Sequence, residues 1–114
     1  RRRGPQLSTH PWFERGTNEQ FARVAGPGER EALVWERGAG ETLASGSSAC
    51  AVAAAAVRRG MVSEREVAVR MPGGTLHVSV RDDWSLLLRG PVEAVYRGEL
   101  TEEMVARLRG LSWP

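Results

Sequence analysis

The residues best placed to do chemistry lie between Trp35 and Cys50, where the chain reads Trp-Glu-Arg-Gly-Ala-Gly-Glu-Thr-Leu-Ala-Ser-Gly-Ser-Ser-Ala-Cys. A glycine-punctuated polar loop there runs straight into an uncharged, alanine-rich stretch. The first amides of a helix have no intrahelical partner and carry the positive end of its dipole, so the N–H groups of Gly46, Ser47 and Ser48 form a candidate cradle for a carboxylate or phosphate. Ser45 stands at the rim of that cradle. Its plainest role is a helix N-cap, worth ~1 kcal/mol. A cysteine at the same place would be drawn towards the thiolate and become a base near neutral pH, whereas a hydroxyl gains far too little from the same field. Just upstream, the doublet Glu36-Arg37 reads by itself as a solvated strand end. Beside Gly38, Gly40 and Gly46, which let a backbone approach a ligand closely, it becomes a candidate binding pair.

These residues need elements to hold them. Residues 46–57 carry small side chains on every face and no polar stripe after Ser48, the pattern of a helix buried all round. At about a dozen residues, or ~18 Å, it is too short to cross a bilayer, so its cover has to be protein. Arg58, Arg59 and Gly60 supply the cations and the breaker that end a helix. Cys50 lies ~7.5 Å beyond Ser45 along the axis and ~140° around it, which keeps the two off one face and makes Cys50 a small core side chain.

The remaining chain predicts mostly strands. Residues 1–18 read as irregular, with Trp12-Phe13 as a hydrophobic anchor. Residues 19–25 and 31–35 flank Gly26-Pro27-Gly28 as an antiparallel hairpin. Residues 67–71, 75–80 and 85–89 form a meander, residues 92–100 one more strand, and Thr101-Glu102-Glu103 caps a final amphipathic helix through Leu108. The expected class is therefore α+β, a half-barrel of mostly antiparallel strands wrapped around a buried central helix.

Composition narrows the function. The 114 residues suffice for a single core. All 16 basic residues are arginines, yet the net charge is only +2 and they are scattered among acids, unlike the basic stripe of a nucleic-acid module. The lone cysteine excludes an internal disulfide, and His10 and His77 have no second histidine at ligand spacing, so no metal is expected. With neither a signal peptide nor an apolar span, the expectation is a cytoplasmic protein that binds neither membrane nor nucleic acid.

The loop closely resembles the motif of the diaminopimelate epimerases, E-R-G-A-G-E-T-x-A-C-G-[ST]-G-A-C. The resemblance continues through Gly4-Pro5, His10-Pro11 with Phe13, Thr17-Asn18, Phe21 and Val24, Pro72-Gly73-Gly74, Gly90-Pro91-Val92-Glu93 and Tyr96-Arg97-Gly98-Glu99. It implies a cofactor-free isomerase that interconverts LL- and meso-diaminopimelate, a step towards lysine and peptidoglycan. In that family two domains of the kind described face each other across a cleft, each with a cysteine at the tip of its central helix.

Carried over position by position, the resemblance makes Asn18 a substrate-binding residue. Glu36 and Arg37 become the pair that holds the substrate's distal amino-acid end. Gly46 and Ser47 become the backbone cradle for the carboxylate at the reacting carbon. Ser45 stands where the family has its catalytic cysteine, Ser48 replaces a glycine, and the family's Gly-Asn-Pro-His segment and first domain are absent. The expectation is that residues 1–114 are most of a C-terminal domain without its N-terminal domain. Its ligand would be a small amino acid, its cleft would be completed by the missing domain or by a second copy in a homodimer, and the chain alone would be inactive. Two alternatives stay open: a related isomerase or dehydratase that uses a hydroxyl residue, and a degenerate carboxylate-binding module without catalysis.

Overall fold

The computed structural model describes residues 1–111. In chain order the elements are α1 (Gly4–Ser8), β1 (Glu19–Gly26), β2 (Glu29–Glu36), β3 (Gly40–Thr42), α2 (Gly46–Arg58), β4 (Glu66–Met71), β5 (Gly74–Val80), β6 (Leu86–Arg89) and α3 (Glu102–Arg109). The β-strands form one mixed sheet in the order β1-β2-β4-β5-β6, with the short β3 paired to β2. The pairs β1/β2, β2/β3, β4/β5 and β5/β6 are antiparallel. The predicted α+β half-barrel is thus observed.

Period-two alternation decides which side chains enter the core. Ala32 and Val34 of β2, Val67, Val69 and Met71 of β4, and Val78 and Val80 of β5 all point to one face and are buried. Against them lie Ala49, Val52, Ala53 and Ala56 of α2, spaced by three and four residues so that they share one side of the helix. Alanine on that side lets the helix axis approach the sheet closely. Val67, Val69 and Val78 are completely inaccessible, each contributing roughly 1.5–3 kcal/mol of apolar burial.

The chain between β2 and β4 passes through β3 and α2, and this crossover makes β2/β4 the one parallel pair among the described residues, with Glu29–Glu31 opposite Ala68–Arg70. The meander expected from the sequence does not include that pairing. Buried Arg30 staples the same region. Its Nη1 donates to the carbonyls of Gly26 (3.2 Å) and Glu29 (2.5 Å), and its Nη2 donates to that of Met61, so the β1/β2 turn is tied to the loop after α2.

Three expectations are corrected. The central helix is not buried all round: Ala51 and Ala55 are exposed and Ala54 is half-buried. The sheet is open, with β1 and β6 as separate edges, so it covers one side of α2 and leaves the other to solvent. Residues 92–100 do not form a strand. Val92, Val95 and Tyr96 are 97%, 88% and 86% exposed, because an alternating segment becomes a strand only where a neighbouring edge takes its hydrogen bonds. Trp12, 86% exposed, is no anchor, and its ring instead meets His10 edge-on at 5.1 Å.

Candidate functional site

Ser45 occupies the N-cap of α2 in an extended conformation (φ −151°, ψ 123°), but its side chain makes no capping bond. Its Oγ lies 3.4 Å from Ser47 Oγ, while its carbonyl accepts the first helical hydrogen bond from Ala49 N–H at 2.9 Å. The N–H groups of Gly46, Ser47 and Ser48 are therefore left to a ligand or to water, and no acidic residue stands in the first turn to compete for them. That first turn is a positive, partly exposed rim, suited to a carboxylate.

Three contacts fix the rim. The amide of Gly73, in the β4/β5 turn, donates to Leu43 O at 2.7 Å. A side chain at Gly73 would put its Cβ 3.1 Å from those of Leu43 and Ala44, so the close approach favours glycine. At Gly46 a Cβ would lie 2.9 Å from Leu88 Cδ2, which brings β6 against the start of α2. From β1, Gln20 Nε2 donates to the buried Ser48 hydroxyl at 3.1 Å. Gln20 was not among the predicted site residues. The available signal was Ser48 itself, a hydroxyl on the inward side of an apolar helix that had to find a partner.

A second group gathers where β2 ends. Asn18 Oδ1 accepts the backbone N–H of Arg37 at 2.8 Å, which leaves the amide NH2 of Asn18 facing outward as a donor. Arg37 Nη1 donates to Arg15 O at 2.5 Å. Glu36, half-buried, pairs in register with Gly40 across β2/β3. The turn between them needs positive φ at Gly38 (84°) and Gly40 (78°), a conformation glycine adopts without a Cβ clash. Asn18, Glu36 and Arg37 are thus brought together, as are Ser45, Gly46 and Ser47. Among the described residues no hydrogen bond joins the two groups directly. They are linked through β3, and the stretch from Gly40 to Ser45 spans at most ~18 Å of chain.

Among the described residues no basic side-chain atom hydrogen-bonds to Ser45. Its hydroxyl meets the hydroxyl of Ser47. Glu41, the nearest acid in the loop sequence, pairs with Arg1 Nε at 2.7 Å, and the hydrogen bond from Arg1 holds its carboxyl below the ordinary carboxylate value. It is therefore ionised and already engaged. Among the described residues no group of three His, Cys, Asp or Glu is arranged to hold a metal ion, and no helix is long and apolar enough to cross a membrane. A shallow groove of about 640 Å³, lined by Phe21, Leu33, Arg70 and neighbours, involves neither group of site residues.

Comparison with known proteins places the chain in a family. The family model described as diaminopimelate epimerase matches residues 1–95. The diaminopimelate epimerase of Acidiphilium cryptum (strain JF-5) is 46% identical over 103 residues, which cover 90% of this chain and 37% of that protein. Those of Desulfitobacterium hafniense and Synechococcus elongatus are 44% and 43% identical, covering 90% and 85% of this chain and 36% and 34% of theirs. The chain thus spans about a third of the length of the curated relatives it matches. With its glycine-bounded loop leading into a helix N-terminus, the chain belongs to the diaminopimelate epimerase family.

Proposed function

We propose that this chain is most of the C-terminal domain of a diaminopimelate epimerase-type protein, holding the carboxylate cradle of one half of a two-base site but not the base itself. The observation that carries the reading is the start of α2. Ser45 leaves the amides of Gly46, Ser47 and Ser48 unpaired and directs its own side chain to no helix amide. The cradle binds the α-carboxylate of a small amino acid. Asn18, Glu36 and Arg37, at the far end of the β2/β3 turn, receive the charged distal end.

In such a reaction the α-carbon proton is removed on one face and another is delivered on the opposite face. Backbone amides aimed at the carboxylate favour the negative charge that builds as the proton leaves. Proton transfer itself requires a group with a pKa near the working pH. Ser45 takes the place that the resemblance assigns to a thiol, and nothing beside it lowers the hydroxyl to that range. Binding without turnover follows for the chain alone. Turnover requires a thiol at this rim and a second wall, supplied by an N-terminal domain or by a second copy that closes the cleft. A biosynthetic step of this kind belongs to the cytoplasm.

The test pairs binding with exchange. Titration with diaminopimelate is expected to move the amide resonances of Gly46, Ser47 and Ser48 first, while α-proton exchange in heavy water stays at the uncatalysed background. Unmoved resonances at high millimolar ligand would remove the cradle. Exchange above background from a monomeric sample would overturn both the assignment of the base to position 45 and the need for a second wall.

A further inference from the structure

Alternation along β2 puts Arg30 on the same face as Ala32 and Val34, beside Val69 of β4, so a guanidinium stands where the pattern calls for an apolar side chain. It is 2% exposed. Its hydrogen bonds go to the carbonyls of Gly26, Glu29 and Met61, and its Nε has no partner. No ion pair among the described residues includes it. Neutral carbonyls satisfy donors without cancelling the charge, and a buried charge is ordinarily paired. Arg30 therefore needs a counterion that the described side chains do not supply.

A place for one lies beside it. A cavity of about 170 Å³ separates β1 from the uncovered side of α2, lined by Ala22, Arg23, Arg30, Ala51, Ala55 and Arg59 among others, and no Asp or Glu of the described residues lines it. Ala22, Ala51, Ala55 and Arg59 are exposed, so its mouth reaches solvent. The space is far above the roughly 10–15 Å³ that one water needs. Arg59, at the C-cap of α2, belongs to no ion pair among the described residues, while Arg23 Nε shares its charge with Glu31 at 2.7 Å.

We infer that this cavity is a site for a small tetrahedral oxyanion of the phosphate class, held between Arg30 and Arg59. Two guanidiniums without a counter-charge match a dianion. Their planar N–H forks suit an ion that offers several oxygens at once, which a monatomic anion does not. The alanine walls give a larger phosphorylated ligand no polar group to engage, so the occupant is the free ion. Gln20 also lines the cavity, but its Nε2 donates to the Ser48 hydroxyl at 3.1 Å, which makes it a wall rather than a ligand. The site uses none of the residues that receive the amino acid in the proposed function, so either reading can fail without the other.

Titration of the full chain with sodium phosphate, at constant ionic strength balanced by sodium chloride, tests it. The Nε–H resonances of Arg30 and Arg59 are expected to shift together and saturate at one midpoint. Tm should rise by about 10 °C once phosphate stands about a hundredfold above that midpoint. Arg59→Ala, at an exposed position, should leave Tm without phosphate unchanged and raise the midpoint about tenfold. Arg30→Met should remove the phosphate-dependent rise; because it also strips hydrogen bonds from three carbonyls, its effect is read as the difference in Tm with and without phosphate. An Arg30 Nε–H resonance unmoved at roughly 100 mM phosphate, a hundredfold above a millimolar Kd, would overturn the inference. So would an equal response to sodium chloride alone, or a midpoint indifferent to Arg59→Ala. Shifts confined to the amides of Gly46, Ser47 and Ser48 would put the ion in the cradle instead and overturn it as well.

Discussion

Replacing Ser45 by cysteine changes one atom at the rim and asks whether the field of α2 is strong enough to make a base there. Ser45 is half-buried, three unpaired amides follow it, and no acid stands in the first turn. A partly exposed helix N-terminus stabilises an adjacent anion by ~0.3–1 kcal/mol, and by ~2 kcal/mol where partly buried. Taking ~1.4 kcal/mol for this site, the new thiol should titrate near 7.5 rather than the ~8.5 of a free cysteine.

The rate of iodoacetamide alkylation against pH reads this directly. Cys50, packed against the core, supplies a slow background that is measured alone in the parent chain. Positions 45 and 50 fall within one tryptic peptide because no arginine or lysine separates them, so the label has to be placed by fragmentation. The folded state would hold its thiol less protonated than the unfolded state does. The variant should therefore gain stability over the parent as pH rises from about 7 to about 9 and lose that gain as pH falls through the folded value, with a limit of ~1.4 kcal/mol. A midpoint at or above about 8.5, with no pH-dependent difference in melting, would refute the idea that this rim can activate a base.

Two further substitutions probe the frame. Ala53 is fully inaccessible whereas Ala55 is exposed, so Ala53→Glu should destabilise by several kcal/mol and lower Tm by more than ~15 °C, while Ala55→Glu should move it by no more than ~3 °C; equal losses would show that the open side of α2 is misplaced. Arg30→Met strips hydrogen bonds from the carbonyls of Gly26, Glu29 and Met61, at about 2 kcal/mol, and should quicken amide exchange in the β1/β2 turn; a variant as stable and as protected as the parent would mean that Arg30 staples nothing.

What could be read from the sequence follows the range of the interactions. The Gly46–Arg58 helix, the hairpin about Pro27-Gly28 and the Thr101 cap are fixed by neighbours within a turn or two. All three appear where the pattern put them, within about three residues at each end. The short α1, the three-residue β3 and the parallel β2/β4 pair depend on contacts across the chain and left no local period. The uniformly apolar run of α2 misleads for the same reason. Alanine is small enough to pack against a sheet and inert enough to face water, so its run could not say that Ala51 and Ala55 would be exposed. Residues 92–100 alternate like a strand, but alternation specifies only which face would be apolar. It does not provide an edge to pair with.

At the site, the residue types were legible and their supports were not. Loop order alone put Glu36 and Arg37 before the glycines and Ser45 at the helix start. The supports of the rim come from Gln20 on β1, Gly73 between β4 and β5, and Leu88 on β6, so the start of α2 is held from both edges of the sheet and from its middle. That distribution separates binding from proton transfer. The cradle consists of backbone amides whose positions depend on the sheet, and a side-chain change at position 45 leaves them in place. Proton transfer depends on the identity of one atom on that side chain. On the proposed reading the chain keeps a carboxylate site while lacking a base, and a defect confined to position 45 differs in kind from one at Gly73. A Cβ at Gly73 would crowd the backbone and side chains of Leu43 and Ala44 that lead into the cradle and is expected to weaken binding and any restored chemistry together, whereas at Gly46 the flexible end of Leu88 can move aside.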